Sequence, residues 1–189
     1  RWITGISVLA LAGMLFLTSC QGVEDLPDDK TDPAGTQDTA VQSKETAFGT
    51  FVSQTLDGTE VTQDIFAEAD LTMVNIWGTF CGPCIAEMPE LGELSREYEG
   101  SGVRIIGMLC DVYEPGDEEA LEIIEATEAD YMHIVASEDL MKGNLGAVQA
   151  VPTTVFVDKE GKQVGKAYPG ATDKETWKQR IEELREEVQ

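Results

Sequence analysis

Apolar residues in this chain come in short blocks separated by charged and turn-forming residues, and the spacing within the blocks switches between two periods. Residues 48–56 alternate and stop at Asp57-Gly58, which predicts a hairpin joining 49–53 to 59–62. A short helix is expected over 64–67. Residues 71–77 are almost continuously apolar, as in a central strand covered on both faces. Ile85, Met88, Leu91, Leu94 and Tyr98 recur at helical spacing, so a helix is expected over 85–98, kinked at Pro89. A second buried strand follows over 103–110, then a helix over 117–127 opened by acidic residues that suit a helix N-terminus. A short strand (131–135) and a short helix (138–145) come next. Strands over 155–158 and 163–168 are joined by Lys159-Glu160-Gly161-Lys162, and an amphipathic helix over 173–188 carries Trp177, Ile181, Leu184 and Val188 on one stripe. Strands alternating with helices, closed by a hairpin and a helix, indicate an α/β three-layer domain with a mixed sheet.

The first stretch of the 189 residues is of another kind. Residues 2–17 are apolar but too few for a comfortable membrane span, and they end in Leu17-Thr18-Ser19-Cys20. That ending resembles the lipobox of a bacterial lipoprotein signal peptide. The resemblance implies a signal peptide over 1–19, cleavage before Cys20 and a lipid on the Cys20 thiol. With Arg1 in place of a methionine, part of a charged leader is expected upstream. An uncleaved signal anchor with an incidental Cys20 is the alternative. Both put the domain outside the cytoplasm, where disulfides persist unless something reduces them. Residues 20–46 mix Asp, Glu, Pro, Thr, Gln and Gly with almost no apolar content, as expected of a flexible acidic spacer. The folded domain is expected over 47–189. The formal net charge of −23, with no basic cluster, makes nucleic acid and anionic head groups poor partners.

The chemistry sits in Trp77-Gly78-Thr79-Phe80-Cys81-Gly82-Pro83-Cys84, where a buried strand runs into helix-forming sequence. A cysteine at the first turn of a helix faces unpaired backbone N–H groups and the positive end of the helix dipole. Both favour the thiolate, so Cys81 is expected to be a nucleophile of lowered pKa, and Cys84 one turn later to attack the mixed disulfide that Cys81 forms. A Cys-x-x-Cys pair is also half a zinc site, but after Cys20 only Cys110 remains, too few sulfurs for a four-cysteine site. Val151-Pro152-Thr153-Thr154, about seventy residues past the pair, leads directly into a strand.

These segments, with Ile85-Ala86-Glu87-Met88-Pro89, Gly102-Val103-Arg104-Ile105-Ile106-Gly107 and Val155-Phe156-Val157-Asp158, resemble the membrane-tethered TlpA/ResA-like thiol–disulfide oxidoreductases of the thioredoxin superfamily. The resemblance runs from about Phe48 to the C-terminus. It implies a thioredoxin-like α/β/α sandwich with an N-terminal hairpin extension and no cofactor beyond a redox-active Cys81–Cys84 disulfide. It also implies a cis peptide before Pro152, with the Val151 backbone beside the sulfurs and free to pair with an extended substrate strand. Trp77, Phe80, Gly82, Pro83, Val151 and Pro152 are then the expected substrate-contacting residues. Two departures stand out. Phe80 replaces the family's second Trp and lacks the indole donor, and Asn75 stands where cytoplasmic thioredoxins keep a buried Asp. In ResA-like members a Glu three residues after the second cysteine serves as the base, which here is Glu87; otherwise Glu87 is a solvated helix-surface residue.

Cys110 reads either as a third redox sulfur or trap for mixed disulfides, or as an inert apolar side chain. His133, the only histidine, has no partners in sequence and is expected to be structural or at the surface. Tyr168-Pro169-Gly170 is expected to turn near the site edge. Function follows as an expectation: a monomeric reductant of oxidised extracytoplasmic proteins, fed by a CcdA/DsbD-type membrane thiol transporter, with cytochrome c maturation, methionine sulfoxide reductases or general disulfides as outlets. A thiol peroxidase, a copper-delivery protein or a non-catalytic binding lipoprotein are the alternatives. The first would want a Thr at Gly78, and the second Cys-x-x-x-Cys with a downstream His.

Overall fold

A computed structural model describes residues 46–188; the expected signal peptide, the Cys20 lipidation site and the spacer up to residue 45 lie outside them. A two-stranded antiparallel hairpin, β1 (Val52–Gln54) and β2 (Glu60–Thr62), precedes a five-stranded sheet. Its strands are β3 (Leu71–Trp77), β4 (Val103–Leu109), β5 (Met132–Ile134), β6 (Thr153–Asp158) and β7 (Gln163–Pro169), in the order β5-β4-β3-β6-β7. β3, β4 and β5 run parallel, while β6 is antiparallel to β3 and β7 to β6. The helices are α1 (Gly82–Glu97), α2 (Glu118–Thr127), α3 (Glu138–Lys142) and α4 (Lys174–Glu187), with 3₁₀ turns over Gln63–Glu68 and Leu145–Ala147.

The strand period of two divides the sheet's side chains between two cores. Leu71, Met73 and Trp77 of β3 pack with Met88, Leu91 and Leu94 of α1, Ala120 of α2, and Trp177, Ile181 and Leu184 of α4. Val74 and Ile76 point the other way, into Phe48, Phe51, Ile65, Phe66, Leu140 and Leu145. β3 is buried at all seven positions because both faces are covered, which is why its sequence shows no alternation.

The predicted elements are all present, with boundaries moved by local physics. The CxxC helix begins at Gly82 rather than 85, because Cys81 itself caps it and Pro83 suits its first turn. Its buried stripe is Cys84, Glu87, Met88, Leu91 and Leu94, so a carboxylate sits among the apolar positions. The helix continues through Pro89. The expected helix over 138–145 is α3 followed by a separate 3₁₀ turn, divided at Gly143. Tyr168 and Pro169 belong to β7 rather than to a turn, and the Gly170 N–H donates to the Pro152 carbonyl at 2.8 Å. Among the described residues no helix is long and apolar enough to cross a membrane.

Candidate active site

Parallel strands leave their C-terminal ends and the following helix N-termini at one edge of the sheet, and this is where the cysteines lie. After β3 the chain turns sharply at Gly78, where a Cβ would fall 2.7 Å from Phe80 and 3.2 Å from both Cys110 Sγ and Asp111 Oδ1. Asp111, just past β4, holds the turn by accepting from the Thr79 N–H at 2.9 Å and from its hydroxyl at 2.8 Å. Sequence reasoning missed this pin, since nothing but the parallel pairing of β3 and β4 brings the two residues together.

Cys81 and Cys84 form a disulfide. Cys81 Sγ accepts from the Cys84 N–H at 3.2 Å, so the first sulfur already occupies the anion-stabilising position at the start of α1. The Val151–Pro152 peptide bond is cis. Phe80, Cys81, Gly82, Pro83, Cys110, Asp111 and Val151 line one cavity of about 560 Å³, with Met141, Leu145 and Val148 also on its wall. Phe80 is 72 % exposed and offers an apolar surface beside the sulfurs. Pro152 is buried beneath this edge and Val151 half-buried.

Trp77 does not join that surface. It is fully buried, and its indole N–H donates to His133 Nδ1 at 3.1 Å. His133 Nε2 donates in turn to the Ala129 carbonyl at 2.9 Å, which sets the tautomer. The expected substrate contact is therefore a support under the active-site turn, and the lone histidine is its buried partner. Burial holds His133 down to about 4, against an ordinary 6.5, with only the Ala129 bond opposing.

Glu87 is buried, at 5 % exposure, which excludes a solvated surface residue. Its Oε1 accepts from Asn75 Nδ2 at 2.8 Å and its Oε2 from the Thr172 N–H at 3.0 Å. Burial raises its pKa, the Thr172 N–H and the Asn75 amide lower it, and the negative charge of Glu90 raises it further. The result is a carboxylic acid shifted upward on the helix face that carries Cys84 (i, i+3). Cys110 is half-buried and unpaired among the described residues; burial first, then the adjacent Asp111 charge, raise its pKa. It lies at the cavity wall yet is held as a thiol.

A family model described as Redoxin matches residues 29–182, most of the chain. The chain belongs to the Redoxin family. This Redoxin is 33 % identical over 112 residues to a thiol-disulfide oxidoreductase ResA of Geobacillus thermodenitrificans, covering 59 % of the chain and 62 % of that protein. It is 28 % identical over 126 residues to a thiol:disulfide interchange protein DsbE of Haemophilus influenzae, covering 65 % and 64 %. The chain thus spans a little under two thirds of the length of these curated relatives. Among solved structures, a thiol:disulfide interchange protein DsbE from Chlorobium tepidum superposes with a TM-score of 0.61 at 21 % identity, over 75 % of the chain and 96 % of that protein. StoA from Bacillus subtilis gives 0.56 at 20 % identity, over 70 % and 96 %. The fold is thioredoxin-like.

Proposed function

We propose that this Redoxin is an extracytoplasmic thiol–disulfide oxidoreductase that reduces disulfides in other proteins through Cys81 and Cys84. The observation that carries the reading is the Cys81–Cys84 disulfide at the N-terminus of α1, in one cavity with Val151 and beside exposed Phe80. In the reduced protein the Cys81 thiolate attacks one sulfur of a substrate disulfide, forming a mixed disulfide and expelling the other sulfur as a thiolate. Cys84 passes its proton to Glu87, and its thiolate attacks Cys81 Sγ. The second substrate sulfur leaves and takes up a proton, while Cys81 and Cys84 close the disulfide present here. Two electrons have passed to the substrate. A CcdA/DsbD-type membrane thiol transporter returns them by the reverse exchange, and a lipid on Cys20 keeps the domain near it.

Two observations tell against two of the alternatives weighed above, the peroxidase and the copper-delivery protein. Gly78, where a peroxidase would carry a threonine, has its Cβ space crowded, and the neighbouring Thr79 hydroxyl already donates to Asp111. His133, the sole histidine, has both ring nitrogens engaged in the core and is unfit as a copper ligand. The test is twofold. Cys84→Ser expressed in the full chain accumulates mixed disulfides through Cys81 that identify the substrates. The potential of the purified protein falls on the reducing side, nearer thioredoxin at about −270 mV than DsbA at about −120 mV. A value close to the latter overturns the reductant role.

A further inference from the structure

One buried polar residue at the site has no part in the exchange just described. Asn75 lies in the middle of β3, fully buried, on the sheet face that α1 covers. Its Nδ2 donates to Glu87 Oε1 at 2.8 Å and to Thr154 Oγ1 at 3.2 Å. Thr154 is its register partner on β6, two residues beyond the cis proline. Both amide hydrogens are therefore used, whereas Asn75 Oδ1 is buried with no partner among the described residues. A buried acceptor in that condition calls for an explanation.

The explanation lies in what each neighbour can do. The Thr172 N–H can only donate to Glu87, and so can the indole N–H of Trp177, which is buried beside it without a hydrogen-bond partner of good geometry. Both can serve the carboxylate, or the carbonyl oxygen of the acid, but neither can accept the acid's O–H. Glu90 on α1 repels that charge, and Tyr131, ahead of β5, keeps a buried neutral hydroxyl with which the Glu87 charge interacts unfavourably on ionisation. The disulfide sulfurs do not titrate. Of the groups hydrogen-bonded to Glu87, only the Asn75 side chain carries both a donor for the carboxylate and an acceptor for the acid's O–H. As found it donates to the carboxylate; turned over, it would present Oδ1 to a carboxylic O–H. The Thr154 hydroxyl accepts from the amide now and could donate to it then, so both contacts are kept while Nδ2 takes the unpartnered position that Oδ1 holds now. An Asp in place of Asn75 would instead set two carboxylates against one another.

We propose that Asn75 is the positioning residue for proton transfer at this site: it holds Glu87 as a carboxylate through Nδ2 and turns over to accept the Glu87 O–H through Oδ1 once the proton arrives. This rests on the reading of Glu87 as acceptor of the Cys84 proton. The step balances: the Cys84 S–H bond breaks, an O–H bond forms on Glu87, and that proton leaves to the departing substrate thiolate. Asn75 exchanges hydrogen bonds only. Through Thr154 it also ties the acid to the strand that carries the substrate-facing Val151–Pro152 segment.

The test uses the full chain with carboxyl-labelled glutamate, following Glu87 by NMR titration, and the rate at which Cys84 resolves a preformed Cys81–peptide mixed disulfide between pH 5 and 9. Asn75 meets both states, but its bond to the carboxylate is charge-assisted and the stronger of the two, so with Asn75→Leu the Glu87 midpoint rises by about one pH unit, and resolution at pH 6 slows about tenfold but recovers at higher pH. Asn75→Asp titrates in two coupled steps, the second above the wild-type midpoint. Thr154→Val shifts the midpoint the same way by less, and serves as the deciding variant if Asn75→Leu does not fold. Glu87→Gln separates the two readings. If it leaves the pH profile of resolution unchanged, Glu87 is not the acceptor. If it flattens the profile while Asn75→Leu or Thr154→Val leaves the Glu87 midpoint at the wild-type value, or slows resolution equally at every pH, the role of Asn75 is overturned.

Discussion

His133 makes the stability of this domain depend on pH in a way that can be calculated in advance. It is 4 % exposed, its Nδ1 accepts the Trp77 indole N–H, and burial holds its pKa near 4 against an ordinary 6.5. The folded state therefore keeps it neutral while the unfolded chain protonates it below 6.5. Its stabilising contribution is intact above that value and disappears as the pH falls towards 4. At pH 5 the unfolded ring is almost wholly charged and the folded ring almost wholly neutral. At about 1.4 kcal/mol per pH unit the loss relative to pH 7 is roughly 2 kcal/mol, approaching roughly 3 at pH 4. Acidification also relieves repulsion within a chain of net charge −23 and titrates Glu87, so the raw profile mixes several effects. A difference isolates the histidine. His133→Phe loses the Trp77 bond at every pH, but its residue 133 no longer titrates. Urea denaturation of both proteins, each with the disulfide intact, should show the advantage of wild type over the variant shrinking by about 2 kcal/mol between pH 7 and pH 5. Parallel profiles over that interval would refute the reasoning.

Other expectations follow from the same neighbourhood. Gly107→Ala places a Cβ 2.1 Å from His133 Nδ1 and 2.9 Å from Trp77 Nε1, two rings that are themselves buried. Overpacking and the lost hydrogen bond together should cost about 3 kcal/mol, read as a lower urea midpoint, and a loss under 1 kcal/mol would show that the rings repack. Asp111→Ala frees the Thr79 N–H and hydroxyl. It should destabilise the domain by about 1–2 kcal/mol and raise amide exchange at Thr79, which unchanged protection would contradict. In the reduced protein at pH 7 iodoacetamide should modify Cys81 well before Cys110, and Asp111→Asn should quicken Cys110 by removing a charge that keeps it a thiol. Mass spectrometry of timed samples tests both, and labelling of Cys110 first would be inconsistent with its environment.

The reading of Cys110 shows where sequence reasoning stops. From the strand pattern it could be either a redox sulfur or filler, because a strand end does not reveal which cavity it borders. The fold places it on the wall of the active-site cavity, and there the burial and the Asp111 carboxylate hold it protonated. Glu87 stood at the same fork. Its i+3 relation to Cys84 was legible, but a helix has a wet and a dry side, and only the packing of α1 on β3 and α4 put this carboxylate on the dry one.

What the amino-acid order determined alone is whatever depends on near neighbours. It set the alternation of strands and helices, the buried run of β3, the two cysteines at the start of α1 and the proline leading into β6. Periodicity, turn chemistry and helix-end polarity act over a few residues, so they survive in one dimension. The tertiary structure decided what depends on which strands lie side by side. Thr154, Asn75, Gly107 and His133 come from four strands and stand in one cross-sheet row, because the order β5-β4-β3-β6 and its register place them there. That row buries Trp77 on a histidine, gives Glu87 its amide partner and shifts both titrating groups. Desolvation and hydrogen bonding act through space, and no spacing along the chain records them.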